Sequence, residues 1–190
     1  MSEPFELALT SEAEATHADL VRVASRWLRR VQKCGVVLAE HSGGGEHPDA
    51  IGWRSSASRL VECKVSREDF AADRHKPSRL GPKFRPAGKC WYLTPRALVT
   101  VEELPLGWGL LEYDGRVVRV VKDPPEEWEN AGRDPSTIQR EIVHLYCELR
   151  RYQSQGIVYQ KIKPGGGYDG LSVNCAQLQE AHAEGFTSHD

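Results

Sequence analysis

The sequence predicts an α/β fold in which a mixed central β-sheet is flanked by α-helices. Two long stretches, one towards each end, repeat apolar residues at three- and four-residue steps, as a helix with one buried face does. Between them lie short runs rich in Val, Ile, Leu, Tyr and Trp, bounded by Gly, Pro and Asp, and one short helical stretch separates the third run from the fourth. Helix, three strands, helix, strand, strand pair, helix is an order that suits a sheet covered by helices.

The first helix is expected over 12–33, where Leu20, Val21, Ala24, Trp27, Leu28 and Val31 recur at helical spacing, with a Ser11–Glu14 capping box and Gly35 as terminator. "VVLAE" (36–40) is a strand, followed by the glycine-rich connection "HSGGGEHP". "DAIGW" (49–53) and "RLVECKV" (59–65) are strands around "RSSAS", and Ser66 caps a short helix over "SREDFAADR". "CWYLTP" (90–95) is a buried strand, "RALVTVEELP" one or two helical turns, and "GWGLLEY" with "RVVRVV" a hairpin turning at Asp114 and Gly115. A second long helix starts at Pro135, capped by Asp134, with Ile138, Ile142, Leu145, Leu149 and Tyr152 as its apolar stripe and Gly156 as its stop. Residues 1–160 are expected to form one domain and 161–190 a loosely ordered tail.

The 190 residues suffice for one well-packed domain and are few for two. With 25 Lys and Arg against 27 Asp and Glu, no apolar run of membrane-spanning length and an acidic opening unlike a secretory leader, a soluble cytoplasmic protein is expected. Five widely spaced cysteines, an odd number without zinc-ribbon spacing, read as reduced and mostly buried. Trp53, Trp91 and Trp108 read as core aromatics, and His41 and His47 as solvated loop residues.

The unusual feature is charge placed on strands. Alternation puts Leu60, Glu62 and Lys64 on one face of the third strand and Val61, Cys63 and Val65 on the other, so the charged face is expected to point somewhere polar. A hairpin centred on Ser55 and Ser56 sets Asp49 opposite Glu62, with side-chain roots about 4.5–5.5 Å apart. Two carboxylates about 4 Å apart at an effective dielectric near 20 repel by about 4 kcal/mol. A hard divalent cation, Mg²⁺ or Mn²⁺, relieves that repulsion, and with Lys64 beside it the group suits phosphodiester hydrolysis.

Pro48 and Asp49, twelve intervening residues, then Glu62, Cys63 and Lys64 together resemble the signature of the PD-(D/E)xK nuclease superfamily. The resemblance covers roughly residues 12–112 and implies a restriction-endonuclease-like core of helix, short mixed sheet and second helix. It implies metal ligation by Asp49, Glu62 and the main-chain carbonyl of Cys63, with Lys64 as the catalytic lysine. It also implies an acidic residue from the first helix, for which Glu14 is the candidate, with Glu12 and Glu40 as alternatives. "PDAIGW", "ECKVSREDFAADRHKP", "WYLTP" and "ELPLGWGLLEY" are similar to blocks of small bacterial and phage proteins assigned to that superfamily, and Ser66, Asp69 and Asp73 match recurring positions there.

Residues 74–89 carry Arg74, Lys76, Arg79, Lys83, Arg85 and Lys89 with no acid among them, a stretch suited to tracking phosphates without reading bases. The expectation is a Mg²⁺- or Mn²⁺-dependent deoxyribonuclease, RNA being open as a substrate, with a homodimer suited to cutting two strands. The alternative is a catalytically silent nucleic-acid-binding or protein-interaction module on the same fold.

Overall fold

The computed structural model describes residues 5–6, 15–39, 48–128 and 133–154, all within the unit Met1–Gln155. The expected tail, 161–190, lies outside the described residues, as do Glu12, Glu14, Glu40, His41, His47 and Cys175.

Helix α1 (His17–Arg30) buries Leu20, Val21, Val23, Ala24, Trp27 and Leu28, the face read from the sequence. Its start differs from expectation. The capping box is Thr16 and Asp19: the Thr16 hydroxyl accepts the Asp19 N–H at 3.2 Å and the Asp19 carboxylate accepts the Thr16 N–H at 3.0 Å. Its end differs too, because Lys33 rather than glycine takes the left-handed conformation (φ 57°), and the Cys34 amide returns to the Leu28 carbonyl at 3.0 Å.

Seven strands form one sheet, β1 before α1 and the others after it: β1 (Phe5–Glu6), β2 (Val36–Ala39), β3 (Ala50–Arg54), β4 (Ala57–Cys63), β5 (Lys89–Pro95), β6 (Gly109–Tyr113) and β7 (Val117–Lys122), in the order β1-β7-β6-β5-β4-β3-β2. β2, β3 and β4 form an antiparallel meander. Ser55 and Ser56 make the β3–β4 turn, as predicted, with Arg54 opposite Ala57 and Ala50 opposite Val61. β4 ends at Cys63, where Ser66 caps helix α2 (Arg67–Asp73) by accepting the Asp69 N–H at 3.1 Å. α2 and the turns after it carry the chain across the sheet, so β5 runs parallel to β4 and β6 parallel to β5, while β7 and β1 return antiparallel. The turn at Asp114 and Gly115 is as expected, with Gly115 at φ 91° and the Asp114 carboxylate accepting the Arg116 and Val117 amides. The fold is thus α/β with a mixed sheet, and α1-β2-β3-β4-α2-β5 is the order of elements that the sequence predicted.

The sheet is packed on both faces. On one, α1 meets Val61, Cys63, Trp91, Leu93, Leu111 and Tyr113, with Trp27 edge-on to Trp91 at 5.2 Å. On the other, Leu60, Phe70, Tyr92, Trp108 and Leu110 form a second cluster in which Tyr92 stacks on Trp108 at 4.6 Å. Trp91 and Trp108 are core aromatics, as expected; Trp53 is only partly buried. Cys34, Cys63, Cys90 and Cys147 are in no disulfide, and burial pushes the Cys90 thiol up to about 12, which leaves it inert.

Helix α3 (Pro135–Ser154) starts where predicted, with the Asp134 carboxylate accepting the Ser136 N–H at 2.9 Å. Its orientation overturns the sequence reading. The residues it buries are Thr137, Glu141, His144 and Glu148, whereas Ile138, Ile142, Leu149 and Tyr152 of the apolar stripe are exposed and only Leu145 is partly packed on the second cluster. The reason is an unmet demand for acceptors on the sheet. The Ser58 hydroxyl (2.9 Å), the Trp53 indole N–H (3.2 Å) and Arg133 all donate to Glu141, and Ser58 in turn accepts the Gly88 amide at 3.0 Å. Helix α3 is therefore attached through a buried carboxylate rather than through leucines. Glu141→Ala leaves those donors without their acceptor, so it is expected to cost about 1–3 kcal/mol and to reduce hydrogen-exchange protection along α3 while β4, β5 and β6 keep theirs.

Candidate functional site

On β4 the alternation holds, but both faces are covered. Val61 and Cys63 pack against α1, and Leu60 joins the second cluster on the face shared by Glu62 and Lys64. Instead of opening to a polar exterior, that face is closed by α2 and the 3-10 turn Pro77–Arg79, so Glu62 is 3% and Lys64 7% exposed.

Asp49 lies one residue before the Ala50–Val61 pair, the last of the β3–β4 ladder, whose register is the one predicted for the hairpin. Its carboxylate accepts the Cys63 N–H at 2.7 Å through Oδ2, and Oδ1 stands 3.3 Å from His17 Nε2. In a strand the amide and carbonyl of one residue point to the same side, so the Cys63 carbonyl also faces the Asp49 edge. His17 went unnoticed in the sequence because the helix start was placed too early. The Thr16–Asp19 capping box puts His17 at the first helical position, which is the signal that locates it.

Glu62 meets the chain's own cations. Arg79 Nη2 lies 3.2 Å from Glu62 Oε1, and Lys64 Nζ lies 3.9 Å from Oε2. Arg79 also donates to Asp73 (Nε to Oδ2 at 2.7 Å, Nη2 to Oδ1 at 3.2 Å), and Tyr92 OH donates to the same carboxylate at 2.6 Å. Lys64 is 3.5 Å from both Asp69 and Asp73, and Lys76 is 2.7 Å from Asp73. The Arg79 guanidinium lies 4.5 Å above the Trp108 ring. Asp73, Arg79 and Tyr92 are thus members of the site whose roles the sequence did not reveal; Asp73 ends α2 and Arg79 ends the separate turn Pro77–Arg79, so no single period links them.

The same network moves its two buried carboxyls in opposite directions. Burial, reinforced by Asp49 and Asp73 and opposed by Arg79 and Lys64, pushes Glu62 up to about 8. Burial acts on Asp73 likewise, but hydrogen bonds and charge from Arg79, with Lys76 and Tyr92, outweigh it and hold Asp73 well below the usual carboxylate range. Among the described residues no group of three His, Cys, Asp or Glu side chains forms a ready metal cage. Asp49, Glu62 and the Cys63 carbonyl are nevertheless an all-oxygen set at one end of the sheet, a donor set that fits a hydrated Mg²⁺ or Mn²⁺ rather than zinc.

Half of the predicted phosphate-tracking arm is corrected. Arg79 is buried in the carboxylate network, Arg85 is buried with its guanidinium donating to the Trp128 carbonyl at 2.8 Å, and Lys89 is buried on β5 and paired with Glu126. Arg74 and Lys83 are exposed and Lys76 half so. Three of the six charges are therefore turned inward by carboxylates and aromatic rings, leaving a narrower basic surface. No helix among the described residues is long and apolar enough to cross a membrane.

No family model matches the chain, and no curated protein does. Among solved structures the chain is similar to SPO1766, a protein of unknown function from Silicibacter pomeroyi. The identity is 22%, the match covers 84% of this chain and 100% of that one, and the TM-score is 0.52. The likeness shows a shared α/β fold.

The opposite shifts of Asp73 and Glu62 have opposite consequences for stability. Asp73 binds a proton more weakly folded than unfolded, so the stability it contributes is present above about pH 4 and is lost as pH falls further. Glu62 binds one more tightly folded, so its contribution is fully present below its ordinary value near 4.5 and declines as pH rises to about 8. Asp73→Asn is expected to lose about 3–5 kcal/mol near neutral pH, with the deficit shrinking in acid. Glu62→Gln is expected to match the parent at about pH 4 and to gain on it towards about pH 8. Urea unfolding across the range from about pH 3 to 9 reads both differences, and a constant gap between Glu62→Gln and the parent would contradict this account.

Proposed function

We propose that the chain is a Mg²⁺- or Mn²⁺-dependent deoxyribonuclease of the PD-(D/E)xK type, acting on DNA in the cytoplasm in replication, repair, recombination or defence. What supports this reading is that Asp49, just before β3, accepts the Cys63 N–H at the end of β4, while Glu62 and Lys64 on either side of Cys63 stand 3.9 Å apart. Asp49, Glu62 and the Cys63 carbonyl would hold the cation, which supplies Lewis-acid stabilisation of the phosphoryl oxygens and a water of lowered pKa. Lys64, fixed between Glu62, Asp69 and Asp73, presents its ammonium to the charge that develops on the phosphate. Arg79 offsets the cost of keeping Glu62 ionised, and Ser66 fixes the start of α2 and thereby Asp69 and Asp73. His17, 41% exposed beside Asp49, is placed to exchange a proton with solvent. Arg74, Lys76 and Lys83 supply contacts to the backbone of the nucleic acid, RNA remaining open as a substrate.

One observation favours the second reading, a silent nucleic-acid-binding or protein-interaction module on this fold. Arg79, 3.2 Å from Glu62 and 2.7 Å from Asp73, already does for these carboxylates much of what a cation would do. The two readings separate on a panel of linear, circular, single-stranded and branched DNA with Mn²⁺ or Mg²⁺. A nuclease cleaves at least one substrate, and Lys64→Ala and Asp49→Asn each lower the rate by about 10²-fold or more, compared at a temperature where circular dichroism shows each variant folded. Salt-sensitive binding with no cleavage on any substrate supports the module and sinks the enzyme.

A further inference from the structure

The outer side of α1 carries a row of cations that its packing does not call for. Residues 20–39 hold Arg22, Arg26, Arg29, Arg30 and Lys33 and no acid, in a chain whose 27 acids outnumber its 25 Lys and Arg. All five are exposed. Arg22 is paired with Asp19 at the start of the helix, while Arg26 and Arg29 are in no ion pair among the described residues. The helix dipole favours cations only within the last turn, which accounts for Arg29 and Arg30 and not for Arg22 and Arg26. Arg22 and Arg26 are four residues apart, as are Arg26 and Arg30, and like charges at that spacing destabilise a helix. The row is therefore a cost to the free chain that a bound polyanion removes.

Arg22, Arg26 and Arg29 line one open groove of about 380 Å³, with Ala18, Ser25 and Ala39 at the end of β2 as small neighbours. The three arginines advance over about 10 Å of helix, the axial length of about three nucleotide steps of one DNA strand. Arginine suits phosphate because its planar fork donates two parallel hydrogen bonds to it. The groove also begins beside the carboxylate site, since His17, the first residue of α1, is 3.3 Å from Asp49. We propose that this side of α1 is a DNA interface that holds the phosphate backbone of one strand and leads it past the carboxylate end of the sheet. Such contacts position the duplex without reading its bases. The proposal rests on reading the chain as one that acts on DNA, and deepens it by naming the surface; it requires binding and not cleavage.

Anisotropy of a short fluorescent duplex, titrated with the full chain in EDTA so that no strand is cut, is expected to show binding that weakens with salt. Arg26→Gln combined with Arg29→Gln is expected to lower the affinity by about 10-fold or more at low salt and to flatten the slope of log affinity against log salt by about two. Circular dichroism is expected to be unchanged, since both side chains are exposed. Arg54→Gln combined with Arg150→Gln removes the same charge from exposed positions elsewhere and is expected to leave the slope as it is. An Arg26 and Arg29 variant that matches a DNA-binding parent in affinity and slope overturns the proposal, and leaves the nuclease reading to the cleavage panel. So does a control pair that loses as much, because DNA then senses net charge and not this face. A parent that binds no duplex also overturns it, whether or not it binds vesicles of phosphatidylserine and phosphatidylcholine. Weakened binding confined to the α1 variant, in a chain that cleaves nothing, supports the interface and sinks the nuclease.

Discussion

A carboxylate buried as deeply as Glu62 has to be neutralised, and the way this chain neutralises it organises the whole face of the sheet around it. In a medium of low polarity an unpaired carboxylate is unsustainable, and even a paired one is seldom a net gain over apolar packing. Here Arg79 reaches Glu62 and Asp73 together, Tyr92 closes Asp73 from the strand side, and Trp108 lies under the guanidinium. Holding Arg79 there fixes the turn Pro77–Arg79 against the sheet, and the turn in turn closes the face that β4 alternation alone would leave open. A basic segment that the sequence presents as an arm is, for half its charges, an internal lid.

The opposite edge of the site is governed by the same economy of charge. Asp49 sits where β3 begins, beside the first turn of α1, and is satisfied by the Cys63 N–H and His17. The positive end of a helix favours an acid at that place. Asp49 and Glu62 are therefore neighbours whose repulsion is relieved from two sides, by α1 for one and by the α2 turn for the other. From the sequence alone, a bound cation is the expected means of relieving it. The structure shows that the chain's own groups carry a large part of that task, and an entering divalent ion would compete with Arg79 for the Glu62 oxygens.

Much of the fold was legible because local chemistry fixes it. The Ser55–Ser56 turn sets the β3–β4 register as far as the Ala50–Val61 pair. Ser66 and Asp134 announced their helices through capping, and the Asp114–Gly115 turn did the same for the last hairpin. What failed was long-range. Nothing in a run of six basic residues distinguishes Arg79, which finds Asp73, Glu62 and an aromatic wall, from Arg74, which stays in water. The first-helix acid expected at Glu14, with Glu12 and Glu40 as alternatives, lies outside the described residues, and α1 itself starts at His17, after its Thr16 cap. Periodicity picked out the apolar stripe on α3 but not the way the helix faces, since it is the polar side, through Glu141, that the sheet draws inward.

The inverted helix follows from the sheet beneath it. Ser58, the Gly88 amide, Trp53 and Arg133 converge on a spot that leucines could not satisfy, so the polar side of α3 is drawn inward and the apolar stripe is left outward as the geometric remainder. The inward side does more than dock. Thr137, Glu141 and His144 join Ser78 and Glu62 around a cavity of about 30 Å³, on the scale of one or two water molecules. Helix α3 is thus a wall of the carboxylate site, and its outer face lies about one helix diameter, roughly 10 Å, from that cavity. A force that shifts or rotates α3 from outside acts on the packing around Glu62 through a single layer of side chains. The exposed stripe and the buried carboxylates are, in that physical sense, two sides of one element.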